Sequence, residues 1–169
     1  MRALGIIAAL LILVVGGAMA YVRLAPSDPA RWHVDPLMAS GEAEASGGGI
    51  GLTPPGSAPI IRPPAGGAYL SAKIANPAPD GVGLLRDLDS IALSTPRTAR
   101  VAGSPEEGRI TWVTRSAFFG FPDYTTAEVR QDGPATLVYL YARQRFGSED
   151  FGVNAARLKD WIGRLGESG

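Results

Sequence analysis

Hydrophobic and polar positions change rhythm several times along the chain. From Ala3 to Val22 the run ALGIIAALLILVVGGAMAYV carries no charge, with Arg2 before it and Arg23 after it. Wound as a helix at 1.5 Å per residue, it spans about 30 Å, the thickness of a bilayer's hydrocarbon layer. The run predicts a transmembrane segment over residues 1–24. Ala18-Met19-Ala20 also has the small-x-small form of a cleavage site, so a signal peptide is the second reading. Continuation through Tyr21-Val22 favours the retained anchor. Either way the rest of the chain is exported, which puts a single-pass protein in the inner membrane with its folded domain in the periplasm.

Further on, Leu84, Leu85, Leu88, Ile91 and Ala92 recur at helical spacing, with Asp80 as a cap and Pro96 as a stop. Then a period of two takes over. Thr98 to Ala102 is a short strand. Ile110 to Arg115 sets Ile110, Trp112 and Thr114 against Val113 and Arg115. Tyr124 to Arg130 follows, and Asp132-Gly133 turns it into a hairpin. Ala135 to Arg145 alternates Leu137, Tyr139, Tyr141, Arg143 and Arg145 with Val138, Leu140 and Ala142. Helical spacing returns with Leu158, Trp161, Ile162 and Leu165, and Gly166 is the expected stop. Helix, antiparallel sheet, helix is an α+β plan in two layers, with both helices on one face of the sheet.

Composition separates the anchor from this domain. Pro26 to Gly67 holds 8 prolines and 8 glycines in 42 residues. Both residue types disfavour regular structure, so residues 25–68 form a juxtamembrane segment and a flexible linker, with the domain over 69–169. Gly47-Gly48-Gly49-Ile50-Gly51 lacks the flanking strand, helix and Gly-Lys-Ser/Thr of a phosphate loop. Arg31-Trp32-His33-Val34-Asp35-Pro36 stands out within the segment. It reads as interfacial anchoring or packing of a turn against the domain, and the one His without a nearby second ligand argues against a metal site.

Charge narrows the function classes. The 16 Lys and Arg balance 16 Asp and Glu, so no basic excess points to nucleic acid. With no cysteine there are no disulfides, thiol nucleophiles or thiolate metal sites.

Several of these residues, in order, resemble a bacterial family catalogued as domain of unknown function 1499. They are Ile91-Ala92, Pro96-Arg97-Thr98, Val113-Thr114-Arg115-Ser116, Phe121-Pro122-Asp123-Tyr124 and, last, Phe146-Gly147-Ser148-Glu149-Asp150-Phe151-Gly152-Val153-Asn154-Ala155-Ala156-Arg157. The resemblance covers roughly Asp87 to Leu165 and extends to Trp32-His33-Val34-Asp35-Pro36. It implies envelope tethering and no established activity. Where many members carry a Ser-Arg pair ahead of the glycine, this chain has Ala142-Arg143 and Gln144-Arg145.

The chemistry that remains is anionic recognition. Arg143 and Arg145 share a strand face, Arg115 lies on a neighbouring strand, and Arg157 sits one turn into the last helix. The loop carrying Ser148 and Asp150 leads to the N-terminus of that helix, near Asn154, where free N–H groups favour an anion. The candidate ligand-binding set is therefore Arg115, Arg143, Arg145, Ser148, Asp150, Asn154 and Arg157. The competing reading is structural: Asp123, Glu149 and Asp150 neutralise these arginines, and Asp150 caps the helix. Ser116, Asp123 and His33 have the letters of a triad, but no nucleophile elbow surrounds the serine. Tyr139, Tyr141, Phe118, Phe119 and Phe121 read as core and sheet cover, with a lipid-facing or partner-facing patch as the second reading. Two functions are weighed: a non-catalytic accessory protein of the envelope with a membrane-protein partner, and a binding module for an anionic small molecule such as a lipid headgroup or carboxylated sugar. No cofactor, no metal, no catalytic residue and no nucleic-acid partner is expected.

Overall fold

The computed structural model describes residues 2–39, 60–61, 67–74, 80–132, 135–147 and 150–167. Helix α1 (Arg2–Leu24) leads into two short helical turns, α2 (Pro29–Trp32) and α3 (Pro36–Ala39). Strands β1 (Ile60–Ile61) and β2 (Gly67–Ile74) precede α4 (Gly81–Ser94). Strands β3 (Thr98–Ser104), β4 (Arg109–Arg115), β5 (Pro122–Asp132) and β6 (Ala135–Gln144) follow, then α5 (Val153–Glu167). The sheet is antiparallel throughout, in the order β1-β2-β6-β5-β4-β3.

The α+β plan stands, with an apolar N-terminal helix ahead of it. Helix α1 is long and apolar enough to cross a membrane by length and composition, and none of it is buried. Helix α4 starts on Asp80, whose carboxylate accepts from Gly83 N–H. β5 and β6 pair from Asp123↔Gln144 to Asp132↔Ala135, the register of a two-residue hairpin. The turn residues 133–134 lie outside the described residues.

Both helices do cover one face. There Leu85, Leu88, Leu158, Trp161 and Ile162 close on Ile110, Trp112, Val138 and Leu140, all fully buried. Trp112 and Trp161 meet edge to face at 5.5 Å. Asp89, on α4, is buried beneath them. It accepts from Trp112 Nε1 at 2.8 Å and pairs with Arg100, so its charge is satisfied. A bulge between Arg100 and Ala102 lets Arg100 point to α4 while Val101 packs on the other face.

Three expectations are corrected. Strand structure begins at Ile60–Ile61 and Gly67–Ile74, inside and across the expected boundary; the Gly/Pro-rich sequence before Gly67 hid strands whose order comes from pairing, β1 with β2 and β2 with β6. Gly166 does not stop the last helix, which runs to Glu167. Phe118, Phe119 and Phe121 are not core: they are 75%, 46% and 39% exposed. The remainder of the expected linker, 40–59 and 62–66, lies outside the described residues.

Candidate functional site

The second face of the sheet is where the molecule departs from a plain two-layer fold. Period two in β5 points Tyr124, Thr126, Glu128 and Arg130 away from the helices, and β6 sends Leu137, Tyr139, Tyr141 and Arg143 the same way. Residues 25–39, directly after α1, lie across this face as a strap.

Trp32 is its anchor. Its ring stacks on Tyr124 at 3.8 Å and 8°, and it is 3% exposed. The Arg143 guanidinium lies 4.8 Å and that of Arg31 4.9 Å from its centroid. Pro29 at the start of α2, with Asp28 accepting from Ala30 N–H, sets the turn that aims Trp32 inward.

Beside the tryptophan runs a chain of side-chain hydrogen bonds. Thr126 Oγ1 donates to the Trp32 carbonyl at 3.1 Å, Thr111 and Thr126 hydroxyls meet at 2.8 Å, and His33 Nδ1 lies 2.9 Å from Thr111 Oγ1. Each hydroxyl has one hydrogen. Thr126 spends its own on the carbonyl, so Thr111 donates to Thr126 and His33 Nδ1–H donates to Thr111. That count assigns the tautomer: the neutral ring carries its proton on Nδ1. Burial and the nearby Arg109 hold the His33 pKa below its ordinary value, against smaller opposing effects of Glu107 and Glu128.

Beyond His33, Asp35 completes a four-residue ion network. Arg130 Nη2 reaches Asp35 Oδ2 at 2.7 Å and Arg130 Nε reaches Glu128 Oε1 at 2.7 Å. Arg109 Nε donates to Glu128 Oε2 at 2.7 Å, and its Nη2 lies 3.6 Å from Asp35 Oδ2. Burial pushes the Asp35 carboxyl up, but the Met38 and Leu37 N–H groups with Arg130 and Arg109 outweigh it and hold it below the usual value. A cavity of about 270 Å³ opens beside His33, Arg109 and Glu128. Among the described residues no group of three His, Asp or Glu is placed to hold a metal ion.

The arginines singled out in the sequence divide between the two faces. Three act together on the strap. Arg115 Nη1 donates to the Val22 carbonyl at 3.4 Å and to that of Gly120 at 3.2 Å; Arg145 Nη1 donates to Pro26 O at 2.7 Å; Arg143 Nη2 donates to Arg31 O at 2.8 Å. Their partners are thus backbone carbonyls running from the end of α1 into α2. Arg157 is elsewhere, under α5. Its Nη2 meets Asp123 Oδ2 at 3.1 Å and its Nη1 meets Asn154 Oδ1 at 2.7 Å. Burial raises the Asp123 pKa; Arg157 opposes that rise and Asp150 adds to it. Asp150 accepts from Gly152 and Asn154 N–H at 3.0 Å each, tying the loop to the helix start, and Asn154 is fully buried. Ser148 lies outside the described residues, as does Glu149. Ser116, Asp123 and His33 do not converge: Ser116 Oγ accepts from Phe121 N–H, while Asp123 and His33 serve opposite faces of the sheet.

Sequence reasoning missed Tyr124, Thr111, Thr126, Arg109 and Arg130 as strap partners. The signal was present as a period-two polar row in β5, which needs a polar cover if it is to be buried. Arg23 was missed too. It donates to the Phe118 carbonyl at 2.8 Å and packs over Gly120, whose φ of +74° favours glycine and where an added Cβ would fall 2.8 Å from Arg23 Cγ and push that side chain aside.

The comparisons with known proteins bear on the sheet and its two helices rather than on the strap. The family described as a protein of unknown function (DUF1499) matches residues 74–165, and Trp32 to Pro36 fall outside that match. No curated protein and no solved structure matches the chain. The matched stretch covers 92 of 169 residues and contains α4, β3 to β6 and most of α5. On that ground the chain belongs to the DUF1499 family.

Proposed function

We propose that this protein is a single-pass, non-catalytic scaffold of the cell envelope, an accessory subunit that holds its folded domain at a set position against the periplasmic surface of the inner membrane. The observation that carries this reading is the Trp32–Tyr124 stack within the strap. A tether would leave the domain free to reorient. Here the Trp32 stack, the three arginine-to-carbonyl bonds and the Asp35 network hold residues 22–35 on the sheet. A domain locked to its own membrane helix suits a protein that presents one surface to a neighbour in the same membrane.

Native mass spectrometry of the full chain, released gently from its own membranes, tests the proposal. The expected result is an intact chain starting at Met1 with a membrane protein in fixed stoichiometry, and loss of that protein in Trp32→Ala. A chain that travels alone, or a partner kept equally well by Trp32→Ala, would overturn the role of the locked orientation. A chain starting after Ala20 would overturn the anchor. Protease added to spheroplasts should digest the domain; protection would overturn the periplasmic placement.

A further inference from the structure

The α1 end of the sheet has a composition unlike the rest of the molecule. The register places the start of β3, the end of β4, the start of β5 and the end of β6 at one end, through Thr98↔Thr114, Arg115↔Pro122 and Asp123↔Gln144. The chain has five phenylalanines, and all five lie in the connections at this end: Phe118, Phe119, Phe121, Phe146 and Phe151. None is fully buried. Phe151 is 92% exposed and Phe118 75%. Four of them join Tyr21, in the last turns of α1, as a run of ring contacts: Tyr21–Phe146 at 6.1 Å, Phe146–Phe121 at 6.2 Å, Phe121–Phe119 at 5.5 Å and Phe119–Phe118 at 4.9 Å. These rings form an aromatic collar beside the end of the apolar helix α1, an exposed apolar surface of the kind that inserts at the headgroup border of a bilayer.

Beside the collar is a cavity of about 490 Å³, lined by Arg23, Arg97, Arg115, Ser116, Val113 and Gly120 among others, and no acidic residue lines it. Among the described residues no carboxylate forms an ion pair with these three arginines. Their hydrogen bonds to Phe118, Arg115, Gly120 and Val22 carbonyls orient the guanidinium groups without neutralising them. Three uncompensated guanidinium groups in a concave site, at headgroup depth, match a phosphate anion.

From this geometry we infer that the cavity binds the phosphate of an anionic phospholipid, with the phenylalanine collar set into the headgroup border around it. The site rests on the anchored reading above, because the end of α1 supplies Arg23 and fixes the depth. It gives the locked domain a second hold on the bilayer, one that depends on lipid charge.

The test uses the full chain in nanodiscs of equal phosphatidylglycerol and phosphatidylcholine, released into native mass spectrometry. Wild type should retain phosphatidylglycerol over phosphatidylcholine. Arg97→Gln should lower that retention about fivefold, the worth of one basic residue near an anionic surface. Arg97 is exposed and donates only a surface bond to Arg115 O, so the variant should fold. Arg86→Gln, which breaks an exposed pair with Glu106, should change nothing. Because the chain has no cysteine, a nitroxide on Phe118→Cys reports one site, and it should be shielded from an aqueous nickel chelate. Equal retention of the two lipids, an equal loss in Arg86→Gln, or a label open to the chelate would each overturn the inference. Inorganic phosphate binding to detergent-solubilised chain with the same Arg97 dependence would reassign the site to a soluble anion and overturn the lipid. The same spectra read the N-terminus, so cleavage after Ala20 is seen separately from failure of the cavity.

Discussion

The two faces of the sheet are closed by different physics. On the helix face, Leu85, Leu88, Ile110, Trp112, Leu140, Leu158, Trp161 and Ile162 exclude water by area, and the attraction has no direction. On the strap face the apolar part is smaller and split in two, with Trp32, Val113 and Tyr124 in one cluster and Leu137 and Tyr139 beneath Leu37 and beside Tyr141 in the other. The rest is hydroxyls, guanidinium groups and carboxylates, each with a named partner. Apolar closure tolerates exchange of one large residue for another of similar volume. Polar closure does not, because a buried group that loses its partner keeps its desolvation cost. The helix face thus makes the domain stable, whereas the strap face specifies where residues 22–39 lie. The same segment follows directly on the apolar helix α1, so that specificity also fixes the end of α1 against the domain.

The largest effect should come from the helix face. Trp112→Ala removes the edge contact with Trp161 and the donor to Asp89. It should cost about 3–5 kcal/mol and unfold the whole domain cooperatively. Denaturant unfolding in detergent, followed by circular dichroism, would show it. A loss confined to one helix would mean that the face is not a single core.

Next comes the ion pair that shares this face. Arg157 is 9% and Asp123 17% exposed at the side chain. Arg157→Ala strands a carboxylate whose pKa burial already raises, at a cost of about 3 kcal/mol. The sign of its pH dependence is opposite to the usual acid denaturation. A carboxyl with a raised folded-state pKa destabilises more as pH climbs through that value, and not at all below the unfolded value of 3.8. The deficit of the variant against wild type should therefore shrink from pH 7 towards pH 4. A constant deficit would show that Asp123 is solvated in the fold.

Trp32→Ala is where the faces should part. The change empties the site on Tyr124 and removes the ring beneath Arg143, yet leaves the helix-face core intact. Hydrogen exchange should rise across residues 25–39, while the domain's unfolding free energy falls by less than in Trp112→Ala, because the strap opens as a local unit. If the domain lost as much stability as in Trp112→Ala, the strap would be part of the core, and the contrast between the faces would fail.

This contrast also explains what was legible in the sequence. Leu84, Leu88, Ile91 and Trp161, Ile162, Leu165 announce their helices by spacing, and Ile110, Trp112 and Leu140 announce strands, because burial against a neighbouring element imposes a period. The strap imposes none. Its partners lie far off in the chain, 94 positions for Trp32 O and Thr126 and 78 for His33 and Thr111, and proline-rich composition suggests slack chain instead. The period of two puts Arg143 and Arg145 on one strand face, with Arg115 on a neighbouring strand, and makes them candidates for holding an anion. That they would spend hydrogen bonds on carbonyls of residues 22–31 depends on tertiary placement that no local pattern encodes. Strand β2 was hidden for a related reason, since Gly67–Ile74 is a strand by virtue of pairing with β6.

The smallest predicted effect is the strap's response to pH, and it separates two of its contacts. His33 is held below its ordinary pKa of 6.5, first by burial and then by Arg109, so docking favours the neutral ring. A base with a depressed folded-state pKa gives its full contribution above 6.5 and loses it as pH falls through the docked value. The proton enters at Nε2, since Nδ1–H is already committed to Thr111. That bond survives, and the penalty is the buried charge near Arg109. Asp35 behaves differently. Held below 3.8 by the Met38 and Leu37 amides and by Arg130 and Arg109 in spite of burial, it supports docking above 3.8 and releases it only below. Hydrogen-exchange protection of residues 25–39, corrected for intrinsic rates, should therefore weaken in one step below pH 6.5 and in a second below 3.8. His33→Gln should abolish the first step and keep the second. Protection that stayed flat from pH 7.5 to pH 5 in the wild type would mean the imidazole is not desolvated by docking. The strap would then be held by Trp32 and the arginine clamp alone.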